Sequence, residues 1–204
     1  MSSPVEKYRP GYSAPGYENT PVYPVGSLLI LTRAQQNQFR QLVSKAAEAY
    51  TNPSQSGFNV RACLLTEDGF MVTGGNKEGG RRLSHGYIHG ETSAISRARD
   101  EFGDVNIPML AFYMEHLANP DASSSAPCGA CRDTVLDETG PNLLIAAGNE
   151  KGIAVTTFRT FMFTREEMKL VDESYIDPNG ISDAISGITK GLDMYLPKLM
   201  KEKR

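Results

Sequence analysis

A chain of 204 residues, 40% hydrophobic and 22% charged, suits one ordinary globular domain, or one domain with extensions, and excludes a largely disordered chain. A net charge of −3 excludes an overall field that would draw it to nucleic acid or an anionic membrane, while leaving room for a local basic patch. Of the three cysteines, two share one Cys-x-x-Cys and Cys63 sits in an apolar run, which excludes a disulfide scaffold and suits a reducing compartment.

Residues 1–29 form a proline- and tyrosine-rich arm: Pro4, Pro10, Pro15, Pro21 and Pro24 fall among Tyr8, Tyr12, Tyr17 and Tyr23, with neither helical nor strand period. Such a segment is expected to extend and wrap the domain or a partner subunit. It shows no basic stretch followed by an apolar one, as a secretory leader would. The apolar runs, such as Leu143 to Ala147, are too short to span a bilayer. The expectation is a cytoplasmic protein.

Thr32-x-x-Gln35 resembles a capping box, and Phe39, Leu42, Val43, Ala46 and Tyr50 follow at helical spacing until Asn52-Pro53. Asn59 to Leu65 and Phe70 to Thr73 read as two antiparallel strands around the turn Glu67-Asp68-Gly69. Gly74 to Gly80 reads as a loop on composition. A helix is predicted from about His89 to Arg99, a strand around Met109 to Met114, and a polar loop over 118–126. A second helix is predicted from Cys128 to Glu138, with strands near Leu143 to Ala147 and Ile153 to Thr157. Beyond Asp177-Pro178-Asn179-Gly180, the apolar residues Ile181, Ala184, Ile185, Ile188, Leu192, Tyr195 and Leu196 mark an amphipathic helix before a charged tail. This divides the chain into the arm, a catalytic domain over 30–175, and a C-terminal helix and tail over 176–204. Alternating strands and helices predict an α/β layered domain.

Two segments carry the chemistry: His89-Gly90-Glu91 and Pro127-Cys128-Gly129-Ala130-Cys131. Together they match the signature of zinc-dependent deaminases. A catalytic zinc takes tetrahedral nitrogen and sulfur ligands and keeps one corner for water, so His89, Cys128 and Cys131 are the right number. Cys128 and Cys131, three apart, fall on one face of a helical turn. Pro127 suits a helix start, where the dipole's positive end favours ionised thiols. Glu91 is placed to take a proton from water and return it to the leaving group.

A Cys-x-x-Cys alone also suits a redox pair or half of a structural zinc site, and a His-x-Glu alone says little. It is their joint occurrence, each at a predicted helix start, that points to catalysis. His85 competes as a ligand through His85-x-x-x-His89, yet Gly86 and the preceding loop set it outside the helix. His116 reads as structural and Cys63 as strand packing.

With Phe58-Asn59-Val60, Gly75-Asn76-Lys77-Glu78 and Pro127 to Arg132 added, the chain resembles the cytidine deaminase family over about residues 30–165. The resemblance implies a three-layer fold with a mixed five-stranded sheet flanked by helices, and a homodimer or homotetramer. It implies that Phe58 packs on the pyrimidine and that Asn76 and Glu78 hold ribose hydroxyls. It also implies that the Gly90 N–H and the Ala126 carbonyl contact the base. Without it, Phe58 reads better as core, while Asn76 and Glu78 suit a polar glycine loop and a pair for vicinal hydroxyls equally.

Four departures stand out. Thr92 follows Glu91 where three-cysteine members carry arginine; the neutral imidazole of His89, replacing a thiolate, leaves less charge to offset. Arg61 stands where the family usually has glycine, and Gly79 where asparagine is common. The longer 78–89 stretch carries Arg81 and Arg82 beside the expected substrate mouth.

The expected activity is hydrolytic deamination of free cytidine or deoxycytidine in pyrimidine salvage. Alternatives are a modified nucleoside or nucleoside-like antibiotic, C-to-U editing of a polynucleotide, and a non-enzymatic structural zinc protein. Editing calls for a basic stripe with stacking aromatics, and Arg81, Arg82 and the tail are thin support in an acidic chain. A purely structural zinc has no use for Glu91.

Overall fold

The computed structural model describes residues 3–24, 29–52, 59–78, 87–113, 129–140 and 142–158. Helix α1, Arg33–Ala47, starts as its sequence requires. The Gln35 N–H donates to Thr32 Oγ1 at 3.2 Å and the Thr32 N–H to Gln35 Oε1 at 2.9 Å, closing a capping box. Its apolar stripe of Phe39, Leu42, Val43 and Ala46 is fully buried, each of the three larger side chains contributing about 1.5–3 kcal/mol.

The helix stops earlier than its apolar period predicts. Tyr50 lies beyond the last turn and is 62% exposed. An Arg61 Nη1 donor takes the Ala47 carbonyl at 2.9 Å, and the Asn52 N–H is drawn to the Asn76 carbonyl at 2.9 Å. The chain therefore leaves the helix to run beside the sheet.

Strands β1 (Val5–Lys7), β2 (Val22–Pro24), β3 (Arg61–Leu65), β4 (Phe70–Gly75), β7 (Met109–Tyr113), β8 (Leu144–Asn149) and β9 (Gly152–Thr157) form one sheet. Their order is β1-β4-β3-β7-β8-β9-β2. The pairs β7–β8 and β9–β2 are parallel and the rest antiparallel, so the sheet is mixed. A small ribbon pairs β5 (Lys77–Glu78) with β6 (Tyr87–Ile88).

The five strands β4-β3-β7-β8-β9 are the expected sheet; the seven-strand total corrects that expectation. The two extra strands come from the arm, one at each edge. Neither was readable in the sequence, because three residues without alternation become a strand only when a sheet edge offers partners. Pro24 at the end of β2 fits an edge, where a missing N–H costs little. The Gly74 to Gly80 loop is also corrected: Gly74 and Gly75 end β4, and Lys77 and Glu78 form β5.

Alternation along the strands makes three layers. Ala62, Leu64, Val72, Leu110, Phe112, Ile145 and Ala147 face helices α2 (Gly90–Phe102) and α3 (Gly129–Thr139). Cys63, Leu65, Met71, Ala111, Ala146, Ile153 and Val155 face α1 and the arm. Among the described residues no helix is long and apolar enough to cross a membrane. The 176–204 helix and tail lie outside the described residues.

Polar residues of α1 fasten the arm. Gln41 Nε2 donates to the carbonyls of Arg9 (3.1 Å) and Tyr12 (2.7 Å), and Arg40 Nε donates to that of Thr20 (2.8 Å). Lys45, with 8% of its side chain exposed, meets Glu6 at 2.8 Å and Glu48 at 3.0 Å. Burial pushes its ammonium down, but the hydrogen bonds and charges of both carboxylates outweigh it and hold Lys45 above its usual range. A raised folded pKa stabilises below the unfolded value of about 10.4 and is lost as pH rises beyond it. Lys45→Met is therefore expected to lower the melting temperature at pH 7 by about 2–4 °C, corresponding to ~1 kcal/mol for half-exposed carboxylate partners. Thermal melts at pH 7 and pH 11 should show the gap between variant and wild type narrowing at the higher pH.

Candidate metal centre and active site

The site sits at the end of the sheet where β3 begins and β4, β7 and β8 end, since Arg61 pairs with both Gly75 and Tyr113, and Tyr113 with Gly148. The carboxyl ends of the parallel strands β7 and β8 are where open α/β sheets place ligands. Helices α2 and α3 both start at this end and pack on each other.

Two glycines allow the first turn of α2 to lie directly on the sheet. A Cβ at Gly74 would collide with the backbone of Ala94 and the Gly90 carbonyl oxygen, and one at Gly90 would lie 2.7 Å from the Val60 carbonyl oxygen. Arg97 in α2 adds a hydrogen bond to the Thr73 carbonyl. Sequence reasoning missed Gly74 by treating it as loop. The signal was there, as a glycine ending an apolar strand marks close backbone approach.

His89 is the N-cap of α2, with extended backbone and no capping bond from its side chain, so the imidazole is directed to other partners. Its Nδ1 lies 3.1 Å from Cys131 Sγ, in the first turn of α3. Glu91, in the first turn of α2, is 3% exposed. One ligating atom from each of His89, Glu91 and Cys131 lies within 4.8 Å of the others. Burial pushes the Glu91 carboxyl above the usual carboxylate range, against the opposing pull of its own backbone N–H, the His89 charge and a hydrogen bond with Cys131. Its Oε2 is buried with no hydrogen-bond partner among the described residues.

The donors suit zinc. Imidazole nitrogen and thiolate sulfur are its preferred ligands, and bonds of about 2.0 and 2.3 Å at a tetrahedral angle put N and S roughly 3.5 Å apart, close to the observed spacing. A buried carboxylate oxygen lacking a partner suits a cation or water at its side.

Asn76 is buried at 4%. Its Oδ1 accepts from the Val60 N–H at 3.0 Å, and its own N–H donates to the Val60 carbonyl at 2.9 Å. Gly90 sits beside Val60, in the same corner. Glu78 is placed in β5 by its backbone. Cys128, Phe58 and Ala126, with His85, Gly79, Arg81, Arg82 and His116, lie outside the described residues.

Arg61, which stands where the family pattern usually has glycine, is the first residue of β3. Strand alternation turns it to the α1 face, where its guanidinium caps Ala47 and stands 5.6 Å from the centre of the Tyr113 ring. Cys63 is fully buried on that face, and burial pushes its thiol up, against a partial pull from Lys45. It is inert packing, not chemistry.

Residues 33–146, more than half of the chain, match the family model of the cytidine and deoxycytidylate deaminase zinc-binding region. Among solved structures, a cytidine deaminase from Burkholderia pseudomallei is similar at 24% identity, over 63% of this chain and 94% of that one, with a TM-score of 0.49. The Mycobacterium leprae cytidine deaminase is similar at 26% identity, over 60% and 92%, with a TM-score of 0.43. That from Mycobacterium tuberculosis is similar at 30% identity, over 53% and 81%, with a TM-score of 0.39. No curated protein gives a significant match. On the family model's span and the zinc-compatible His89, Glu91 and Cys131 cluster, the chain belongs to the cytidine and deoxycytidylate deaminase family and is a zinc-dependent hydrolase that deaminates nucleosides or nucleotides.

Proposed function

We propose that this enzyme hydrolyses cytidine or deoxycytidine to uridine or deoxyuridine and ammonia, with zinc held by His89, Cys128 and Cys131 and protons moved by Glu91. The observation that carries the proposal is the Glu91 carboxylate, buried beside His89 and Cys131 with one oxygen unpartnered among the described residues. A group so costly to bury is retained where chemistry needs it.

Zinc, when bound, supplies Lewis acidity that makes water acidic enough to attack near neutral pH. Glu91 accepts the proton of the attacking water as its oxygen bonds to C4 of the pyrimidine, and passes that proton to N3. It then takes the hydroxyl proton and delivers it to the amino group, so that the C4–N bond breaks and ammonia leaves. The carboxylate ends as it began.

Around this centre, Phe58 packs on the base, the Gly90 N–H and Ala126 carbonyl meet its edge, and Asn76 and Glu78 take the ribose hydroxyls. The Val60 N–H on Asn76 Oδ1 supports the Asn76 role, because it holds the amide in one orientation. A small nucleoside, rather than a polynucleotide, fits a chain of net charge −3. The proposal extends to a cytoplasmic homodimer or homotetramer, for which the periodic apolar positions between Ile181 and Leu196 supply a face to bury.

Elemental analysis of protein purified without added metal should find about one zinc per chain. The loss of the cytosine ultraviolet band should be followed with cytidine, deoxycytidine, cytosine, deoxycytidylate and a cytosine-containing single-stranded DNA. Turnover of the two nucleosides above the other three is the expected result. Zinc near zero would overturn the metal site, and preference for the nucleotide or the DNA would overturn the substrate.

A further inference from the structure

Helical threonines ordinarily return the hydroxyl to the carbonyl four residues back. Among the described residues two do so: Thr134 Oγ1 bonds the Ala130 carbonyl at 3.1 Å and Thr139 Oγ1 the Val135 carbonyl at 2.6 Å. Thr92 is different. It lies in the first turn of α2, so the residue four back, Ile88, belongs to β6 and not to the helix. Its Oγ1 instead lies 3.8 Å from Cys131 Sγ, across the α2–α3 interface.

We infer that Thr92 is a positioning residue of the metal centre, its hydroxyl donating to the sulfur of Cys131. The inference rests on Cys131 being a zinc ligand. A ligating cysteine is a thiolate without a proton, so of the two atoms only the threonine oxygen can donate. His89 Nδ1, 3.1 Å from the same sulfur, is a fellow ligand and has no proton to give it once it holds the metal, so the hydroxyl helps to orient the thiolate and draws off part of its charge. It also ties the helix carrying His89 and Glu91 to the one carrying Cys131. A neutral donor is sufficient here because the ligand set includes an imidazole. Outer-shell partners of this kind are worth 10–100-fold in metal affinity, and the length of this contact places it at the low end.

Thr92→Val keeps the branched shape and removes the donor, Thr92→Ala also removes it, and Thr92→Ser keeps it. Competition against a chromogenic zinc chelator measures zinc affinity, and melting of the metal-free proteins measures the fold. The expected result is about a tenfold loss of zinc affinity in Thr92→Val and Thr92→Ala. Thr92→Ser should stay near wild type, and the metal-free melting temperatures of Thr92→Val and Thr92→Ser should match that of the parent. Wild-type zinc affinity in Thr92→Val overturns the inference. So does a loss in Thr92→Ser and Thr92→Ala with none in Thr92→Val, which would mark the threonine methyl as a packing group. If Cys131→Ser itself keeps wild-type zinc affinity, the ligand assignment fails and the role of Thr92 fails with it. Zinc that leaves Cys131→Ser but stays in Thr92→Val removes the Thr92 role alone.

Discussion

Glu91→Gln is expected to lower turnover by at least ~10²-fold while the zinc stays bound, because a glutamine keeps the volume and hydrogen bonding of the side chain but cannot carry a proton. Glu91 is buried within the cluster, so a neutral side chain removes a desolvated acid and leaves His89 and Cys131 untouched. Since burial already disfavours the charged form of Glu91, the variant should fold at least as stably as the parent. Three measurements settle the matter together: zinc per chain, the melting temperature and the turnover number on the best nucleoside substrate. Near-normal turnover would show that Glu91 is not the proton carrier. Loss of zinc along with activity would show instead that Glu91 acts as a ligand.

Gly74→Ala is expected to damage both stability and catalysis, from a position with no chemistry of its own. The added Cβ would meet backbone, the Ala94 peptide and the Gly90 carbonyl, rather than a side chain that could turn away. Strand β4 is pinned between β1 and β3, so α2 must move. Overpacking of this kind costs about 1–3 kcal/mol, or roughly 2–12 °C in melting temperature for a chain of this size. The moving helix bears His89 at its cap and Glu91 in its first turn, and misplacing catalytic groups by about 1 Å can cost ~10² in rate. Gly69→Ala is the control. Gly69 has a φ of +82° but nothing within 4 Å of the added atom, so it should cost about 1–2 kcal/mol of backbone strain and leave turnover unchanged. A Gly74→Ala protein as stable and active as wild type would refute the close-packing account of α2.

The parts written into the sequence are those whose causes are local or chemical. Thr32 and Gln35 specify the start of α1 through a four-residue capping geometry, and the 3–4 spacing of Phe39, Leu42, Val43 and Ala46 specifies its buried face. The candidate metal-site residues, of which the structure brings His89, Glu91 and Cys131 together, were legible for a different reason. Zinc restricts its ligands by element and number, so His89-Gly90-Glu91 with Cys128 and Cys131 is a pattern that bonding chemistry, rather than packing, selects.

What only the tertiary structure decided are events between distant segments. The arm's two edge strands exist because β4 and β9 have unsatisfied edges to offer, which no local pattern in residues 5–7 or 22–24 could announce. The end of α1 is set by Arg61 reaching Ala47 and by Asn52 reaching Asn76, partners far along the chain. Arg61 itself faces α1 because strand register, not sequence position, assigns a side chain its face. At the site, the approach of His89 to Cys131, the burial of Glu91 and the contact of Thr92 with Cys131 all arise from α2 docking against Gly74 and α3. Residue types announced the chemistry. Their distances depended on how closely two helix starts could be packed onto one end of a sheet.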